Sequence, residues 1–172
     1  MTGPTRTVPG RTGPERTPDG HHIVVDGRTW RAQDPHIPEA LGAELVKGLM
    51  AARRLVTTDP TRARPRVQDA KVALGERGEP WWEPTPEGTR TRLAAAMRTL
   101  LRARGQGTTI CPSDAARVAG GEDWRDLMDA AREVAAELHA DGVAEVRQKG
   151  ERVEDPRAAR GPIRLAAGPE LG

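Results

Sequence analysis

Residues 108–128 read TTICPSDAARVAGGEDWRDLM, and their order decides the fold. Thr108-Thr109-Ile110 is a short β-prone run. Cys111-Pro112-Ser113-Asp114 predicts a short helix, with Pro at its first position and an acid at its third, although Cys is a poor cap. Gly120-Gly121 ends it. Asp123 then caps a further helix, residues 123–138, with Trp124, Leu127, Met128, Ala131, Val134, Ala135 and Leu138 on one side and Gly142 as its stop. Upstream, Leu93, Met97, Leu100 and Leu101 mark one face of a helix ending at Gly105. Downstream, residues 143–147 alternate, Lys149-Gly150 turns, and Arg152-Val153 and Ile163-Arg164-Leu165 continue extended. Helix, short strand, helix, turn, helix and β-wing is the order of a winged helix-turn-helix.

Residues 21–83 predict a different module. His22-Ile23-Val24-Val25 and Arg28-Thr29-Trp30 flank Asp26-Gly27, a pairing that favours a two-residue hairpin turn. Asp34-Pro35 breaks the strand. From Pro38 to Val56, Leu41, Leu45, Leu49, Met50, Ala52 and Val56 recur at helical spacing. Asp59-Pro60 starts a second helix with Val67, Ala70 and Leu74 as its stripe, which Pro65 should kink or delay. Gly75 or Gly78 ends it, and Trp81-Trp82 follow. The fold class is therefore α+β, a small β-hairpin plus helical hairpin followed by a winged helix.

The remaining stretches are poor in apolar residues. Residues 1–20 hold one aliphatic, Val8, among Thr, Gly, Pro and Arg, and are expected to form a disordered arm. Residues 84–88, with two prolines and a glycine, read as a linker, residues 89–165 as the winged helix, and 166–172 as a flexible tail. Of the 36% hydrophobic residues, alanine is the largest part, and Phe and Tyr are absent. Leu, Ile and Val make up only 28 of 172 residues, too few for one large core. Thin-cored small domains are expected instead.

Several of these runs resemble known families. Thr109-Ile110-Cys111-Pro112-Ser113, residues 120–128 (GGEDWRDLM), Gln148-Lys149-Gly150 and Gly161-Pro162-Ile163-Arg164-Leu165 fall in an order that resembles a small bacterial family. That family is catalogued only as a domain of unknown function, and the resemblance, over about residues 90–165, implies a winged-helix shape. Val25-Asp26-Gly27-Arg28 and residues 70–82 (AKVALGERGEPWW) resemble a second short bacterial family, over about residues 22–83. Its members often carry the label "biopolymer transporter Tol". No run of 18 apolar residues exists, so no membrane span and no transport are expected.

Catalytic motifs are missing from the sequence. His21, His22, His36 and His139 share no metal-ligand spacing with Cys111, and no CxxC or HExxH occurs. Gly105-Gln106-Gly107 lacks the rest of a dinucleotide loop, and Ser113 sits in no nucleophile elbow. Cys111 is either a thiol activated by a helix N-terminus or a small buried hydrophobe, and the second is preferred. No enzyme, metal or cofactor is expected. The single cysteine suits a reducing cytoplasm, and no basic n-region followed by an apolar run opens the chain, so no secretion signal is expected.

Binding is the remaining class, and the charges pull two ways. A winged helix suggests nucleic acid. Arg90, Arg92, Arg98, Arg102 and Arg104 lie on the first helix with no acid among them, and Arg147, Lys149 and Arg152 lie on the wing. The third helix, however, sets Arg125 and Arg132 against five acids, which phosphate would repel. The candidate nucleic-acid or partner contacts are thus Arg90, Arg98, Arg102, Arg125, Arg147, Lys149 and Arg152. Trp81 and Trp82 are candidate anchors for a protein partner, one expected in the core with Trp30 and one exposed. Trp124 is expected to plug the thin core. The alternative is a winged helix that binds protein and not DNA, with its acidic third helix facing a basic partner.

Overall fold

The structure, a computed structural model, describes residues 13–172. The first twelve residues of the expected arm lie outside the described residues. The chain divides into two compact units, Met1–Ala32 and Gln33–Gly172.

The first unit is a three-stranded antiparallel sheet of β1 (Glu15–Arg16), β2 (His22–Val25) and β3 (Arg28–Arg31), in that order. Asp26 and Gly27 take φ of 50° and 72°, the mirror-image turn that lets Val25 pair with Arg28. The disordered arm expected over residues 1–20 does not extend through Glu15–Arg16, which pair with Val24 and Ile23. A side-chain latch explains this: Asp19 accepts from the Thr17 hydroxyl at 2.6 Å and from the His21 N–H at 3.0 Å. Those bonds, the Thr17 hydroxyl first, hold the Asp19 carboxyl below its usual range. Backbone bonds form this edge strand, which is why its lack of apolar residues misleads.

In the second unit the helices are α1 (Glu39–Arg54), α2 (Pro60–Ala73), α3 (Pro86–Arg104), α4 (Pro112–Gly120) and α5 (Met128–Ala140). A four-stranded antiparallel sheet, ordered β4 (Thr109–Ile110), β7 (Arg164–Ala167), β5 (Ala144–Gln148) and β6 (Glu151–Arg152), completes it. The fold class is α+β, as the sequence predicts. Asp59 caps α2 by accepting from the Arg62 N–H at 3.1 Å, and the helix runs through Pro65 without interruption. Pro65 deprives the Thr61 carbonyl of its partner, but both residues are exposed, so solvent can serve it.

The expected linker at 84–88 is the start of α3. Thr85 caps it by accepting from the Gly88 N–H at 3.1 Å, Pro86 fills its first position, and the Glu79 carboxylate takes the Thr85 hydroxyl at 2.6 Å. Two prolines near a glycine are as much a helix start as a linker, and the Thr cap decides between them. The third helix also begins later than expected. Residues Gly121–Leu127 form a 3₁₀ turn with Asp123 off helical geometry, and α5 starts only at Met128. Trp124, on that turn, is half-buried against the core, with Arg117 and Arg125 each 4.5 Å from its ring.

One hydrophobic core runs from Ile37 and Leu41 on the α1 side through Leu93 and Met97 to Val146 and Leu165. The expected division at 84–88 therefore lies inside a single unit. α3 makes this so, packing against α1 and α2 as well as α4 and α5. Leu93, Met97 and Leu100 would serve a one-sided helix, but Ala95, Ala96 and Thr99 are buried too, which needs neighbours on a second side. Gly48 permits a close approach of α1 to α3, since a Cβ there would lie 2.9 Å from the Thr99 methyl. The expected flexible tail 166–172 is also bound in. The Gly168 N–H donates to the Val143 carbonyl at 3.0 Å, and Leu171 packs on the core. A Cβ on Gly168 would fall 2.1 Å from the Gly142 carbonyl oxygen, so only glycine fits this contact.

A shared core predicts shared cooperativity. Residues 33–172 should melt in one transition, with far-ultraviolet circular dichroism and Trp fluorescence coincident. A fragment of residues 89–172, stripped of α1 and α2, should show no cooperative melt. A sharp transition in that fragment would mean that the core divides at α3.

Candidate partner-binding site

The arginines of α3 do not form a free basic face. Arg90 pairs with Glu137 on α5. Arg98 donates twice to Asp69, at 3.1 and 2.9 Å, and Arg102 donates to the same carboxylate at 2.7 Å and to the Leu171 carbonyl at 2.9 Å. Arg104 forks onto Glu44 at 2.7 and 3.0 Å and reaches Asp114 at 3.2 Å, contacts that hold its pKa above the usual value, the Glu44 bond most of all. Arg92 is buried, 2.9 Å from the equally buried Asp34, and also donates to the Ala73 carbonyl at 3.1 Å. Desolvation pushes the Arg92 guanidinium down, and Asp34 opposes it. Five cations that look unopposed in sequence thus each meet an acid from another element.

The other candidate contacts scatter. Arg125 stacks on Trp124, and Arg147 pairs with Glu145 at 2.7 Å, which lowers the Glu145 pKa. Lys149 and Arg152 are exposed at the β5–β6 turn, with no ion pair among the described residues. On α5, Glu133 takes Arg157 at 2.6 Å, and Arg132 donates to the Ala159 and Gly161 carbonyls at 2.8 and 3.0 Å. The chain between β6 and β7 is therefore tied onto α5.

Trp81 and Trp82 do come to a site. Both are half-buried and meet edge to face at 5.2 Å, and the Trp81 ring also meets His36 at 5.8 Å. Trp30, expected to join them, lies in the other unit and is half exposed. An open cleft of about 540 Å³ runs beside Trp81 and His36, with Glu122, Asp123 and Asp126 of the 3₁₀ turn on its wall. Those three carboxylates are exposed and make no ion pair among the described residues. Asp34 sits at the base, accepting from the His36 N–H at 2.9 Å and meeting its Nδ1 at 2.9 Å, which fixes the ring with the rest of it exposed. The cleft thus offers an aromatic face, an oriented imidazole and surplus negative charge, a setting for a cation with an apolar stem.

The sequence reading missed Asp34 and His36. Asp34-Pro35 looks only like a strand breaker, yet the Asp34 carboxylate accepts from the N–H two residues on, an Asx turn that brings the two side chains together. Among the described residues no group of three or more His, Cys, Asp or Glu is placed to hold a metal ion. No helix among them is long and apolar enough to cross a membrane.

Residues 90–168 match the family described as Protein of unknown function (DUF3253). No curated protein matches the chain. The matched stretch runs from Arg90 within α3 through β7 and leaves out α1, α2, Asp34, His36 and Trp81, although these share the core and the cleft with it.

Removing one partner of a buried ion pair leaves the other charge stranded. Asp34→Ala should therefore lower unfolding free energy by about 3–5 kcal/mol in urea titration, while Arg125→Ala stays within about 0.5 kcal/mol. A neutral Asp34→Ala would show that Arg92 finds another acceptor.

Proposed function

We propose that this chain is a non-enzymatic binding protein whose residues 89–165 act as a winged-helix module for a basic protein segment and not for duplex DNA. The observation that carries this reading is the sorting of charge. Every α3 arginine is held by an internal acid, while Glu122, Asp123 and Asp126 stay unpaired beside Trp81. The order α3, β4, α4, α5 and the tight β5–β6 hairpin supports the winged-helix assignment. The unbridged Cys111 supports a reducing, cytoplasmic setting. The resemblance of residues 22–83 to the Tol-labelled family adds no mechanism to this reading.

A second reading rests on the wing. Lys149 and Arg152 are exposed at a turn that, in winged helices, lies near a phosphate backbone, and Arg147 stands beside them. Duplex contact there would need no help from α3.

Anisotropy titrations separate the two. A nona-arginine peptide should bind the full chain, and Asp123→Asn with Asp126→Asn should weaken it about five- to tenfold, two lost charge contacts at a wet surface. Trp81→Ala should weaken it as well. A 20-base-pair duplex should show no binding at about 0.15 M salt. Duplex binding that falls with salt, and whose slope drops by about one unit for each of Arg147→Ala, Lys149→Ala and Arg152→Ala, would establish the wing reading instead.

A further inference from the structure

A second pocket, of about 120 Å³, lies between α1, α2 and α3 and shares no lining residue with the Trp81 cleft. Lys47 and Arg54 of α1, Arg66 of α2 and Arg102 of α3 line it, and no carboxylate does. Lys47, Arg54 and Arg66 make no ion pair among the described residues, in contrast to the α3 arginines. Only Arg102 has a partner, Asp69, which it shares with Arg98 outside the pocket lining. The Arg66 guanidinium is pushed below its usual pKa by burial first and then by the nearby Arg62 and Arg102 charges. Positive charge is thus concentrated around one small pocket, with Lys47 and Arg54 exposed at its mouth and Arg102 mostly buried.

Two polar atoms point the same way. Thr99, 2% exposed, keeps its hydroxyl buried with no hydrogen-bond partner, and the Arg102 Nε–H is buried without an acceptor. Both residues line the pocket. Buried polar groups are nearly always satisfied, so these two donors, on residues that line one cationic pocket, are missing acceptors. Gly48 creates the space, since any side chain there would run into Thr99. The volume, about 120 Å³, is enough for one tetrahedral oxyanion.

We infer that this pocket binds a phosphoryl group, either free phosphate or the head of a small phosphomonoester, with Thr99 and Arg102 at its floor and Lys47, Arg54 and Arg66 around it. The charge-assisted bonds to three oxygens would satisfy donors that the fold leaves open. A nucleic-acid backbone offers the same group, but only on a macromolecule, and the pocket's small size favours the small ligand.

The test uses the full chain, with inorganic phosphate and glycerol 3-phosphate titrated against sodium chloride at matched ionic strength. Phosphate should raise Tm saturably beyond the chloride control. If glycerol 3-phosphate does the same, the ligand is a phosphomonoester head; if only phosphate does, it is the free anion. Lys47→Gln with Arg66→Gln, both outside the core, should cut phosphate affinity at least about tenfold, as expected for losing charged hydrogen bonds. Thr99→Val keeps the shape and removes the stranded hydroxyl, so the ligand-free Tm should hold or rise while the phosphate shift shrinks. A phosphate shift no larger than that of chloride, or one untouched in both variants, would overturn the proposal. So would displacement of phosphate by duplex DNA at equal phosphate concentration.

Discussion

The ion pair between Arg92 and Asp34 is the contact on which the second unit turns. Its guanidinium joins three pieces of chain: α3, the residues entering α1 and, through the Ala73 carbonyl, the end of α2. The Asp34 N–H also donates to the Leu74 carbonyl at 3.0 Å, so the same aspartate closes α2 through its backbone and, by way of Arg92, through its side chain. A buried pair of this kind adds little net stability compared with an apolar pair of the same shape. Its consequence is placement. With Arg92 anchored, α3 buries Ala96 and Thr99 as well as Leu93 and Met97 and packs on α1, α2, α4 and α5, and two modules become one core.

That arrangement decides where charge is left over. Each α3 arginine reaches outward from a central helix, so acids on surrounding elements are within its length, and the arginines act as struts. The carboxylates of the 3₁₀ turn make no ion pair among the described residues, since Arg117 and Arg125 lie against the Trp124 ring instead. Their position at the start of α5 suits the helix dipole, which explains why they are tolerated without partners. The same tolerance leaves three carboxylates beside Trp81, where the proposed basic segment would bind.

A core built largely from alanine has a second effect. Small residues let helices approach closely, as at Gly48 and Thr99, but they cannot fill every gap between crossing helices. Ala51, Ala52 and Ala103 line the pocket between α1, α2 and α3, and long cationic side chains surround the space that they leave. Scarcity of large apolar residues thus accounts for the pocket, while the packing of α3 on both sides accounts for the single core.

Local chemistry determined much of the secondary structure. Asp26-Gly27 specified the turn and register of β2 and β3, Asp59-Pro60 specified the start of α2, and the alternation around Val146 specified β5, because each depends on residues within a few positions of one another. The α3 stripe at Leu93, Met97 and Leu100 was equally legible. Only the tertiary structure decided that α3 has a second buried face, since Ala95 and Ala96 are as common on exposed helices as in cores. It also decided the fate of the candidate contacts. Arg90 meets an acid 47 residues away, Arg104 one 60 residues away, and Arg98 one 29 residues away. Charge on a helix can be read from its own sequence, but pairing depends on Coulomb attraction over a few ångströms, and chain folding alone sets which acids come that close.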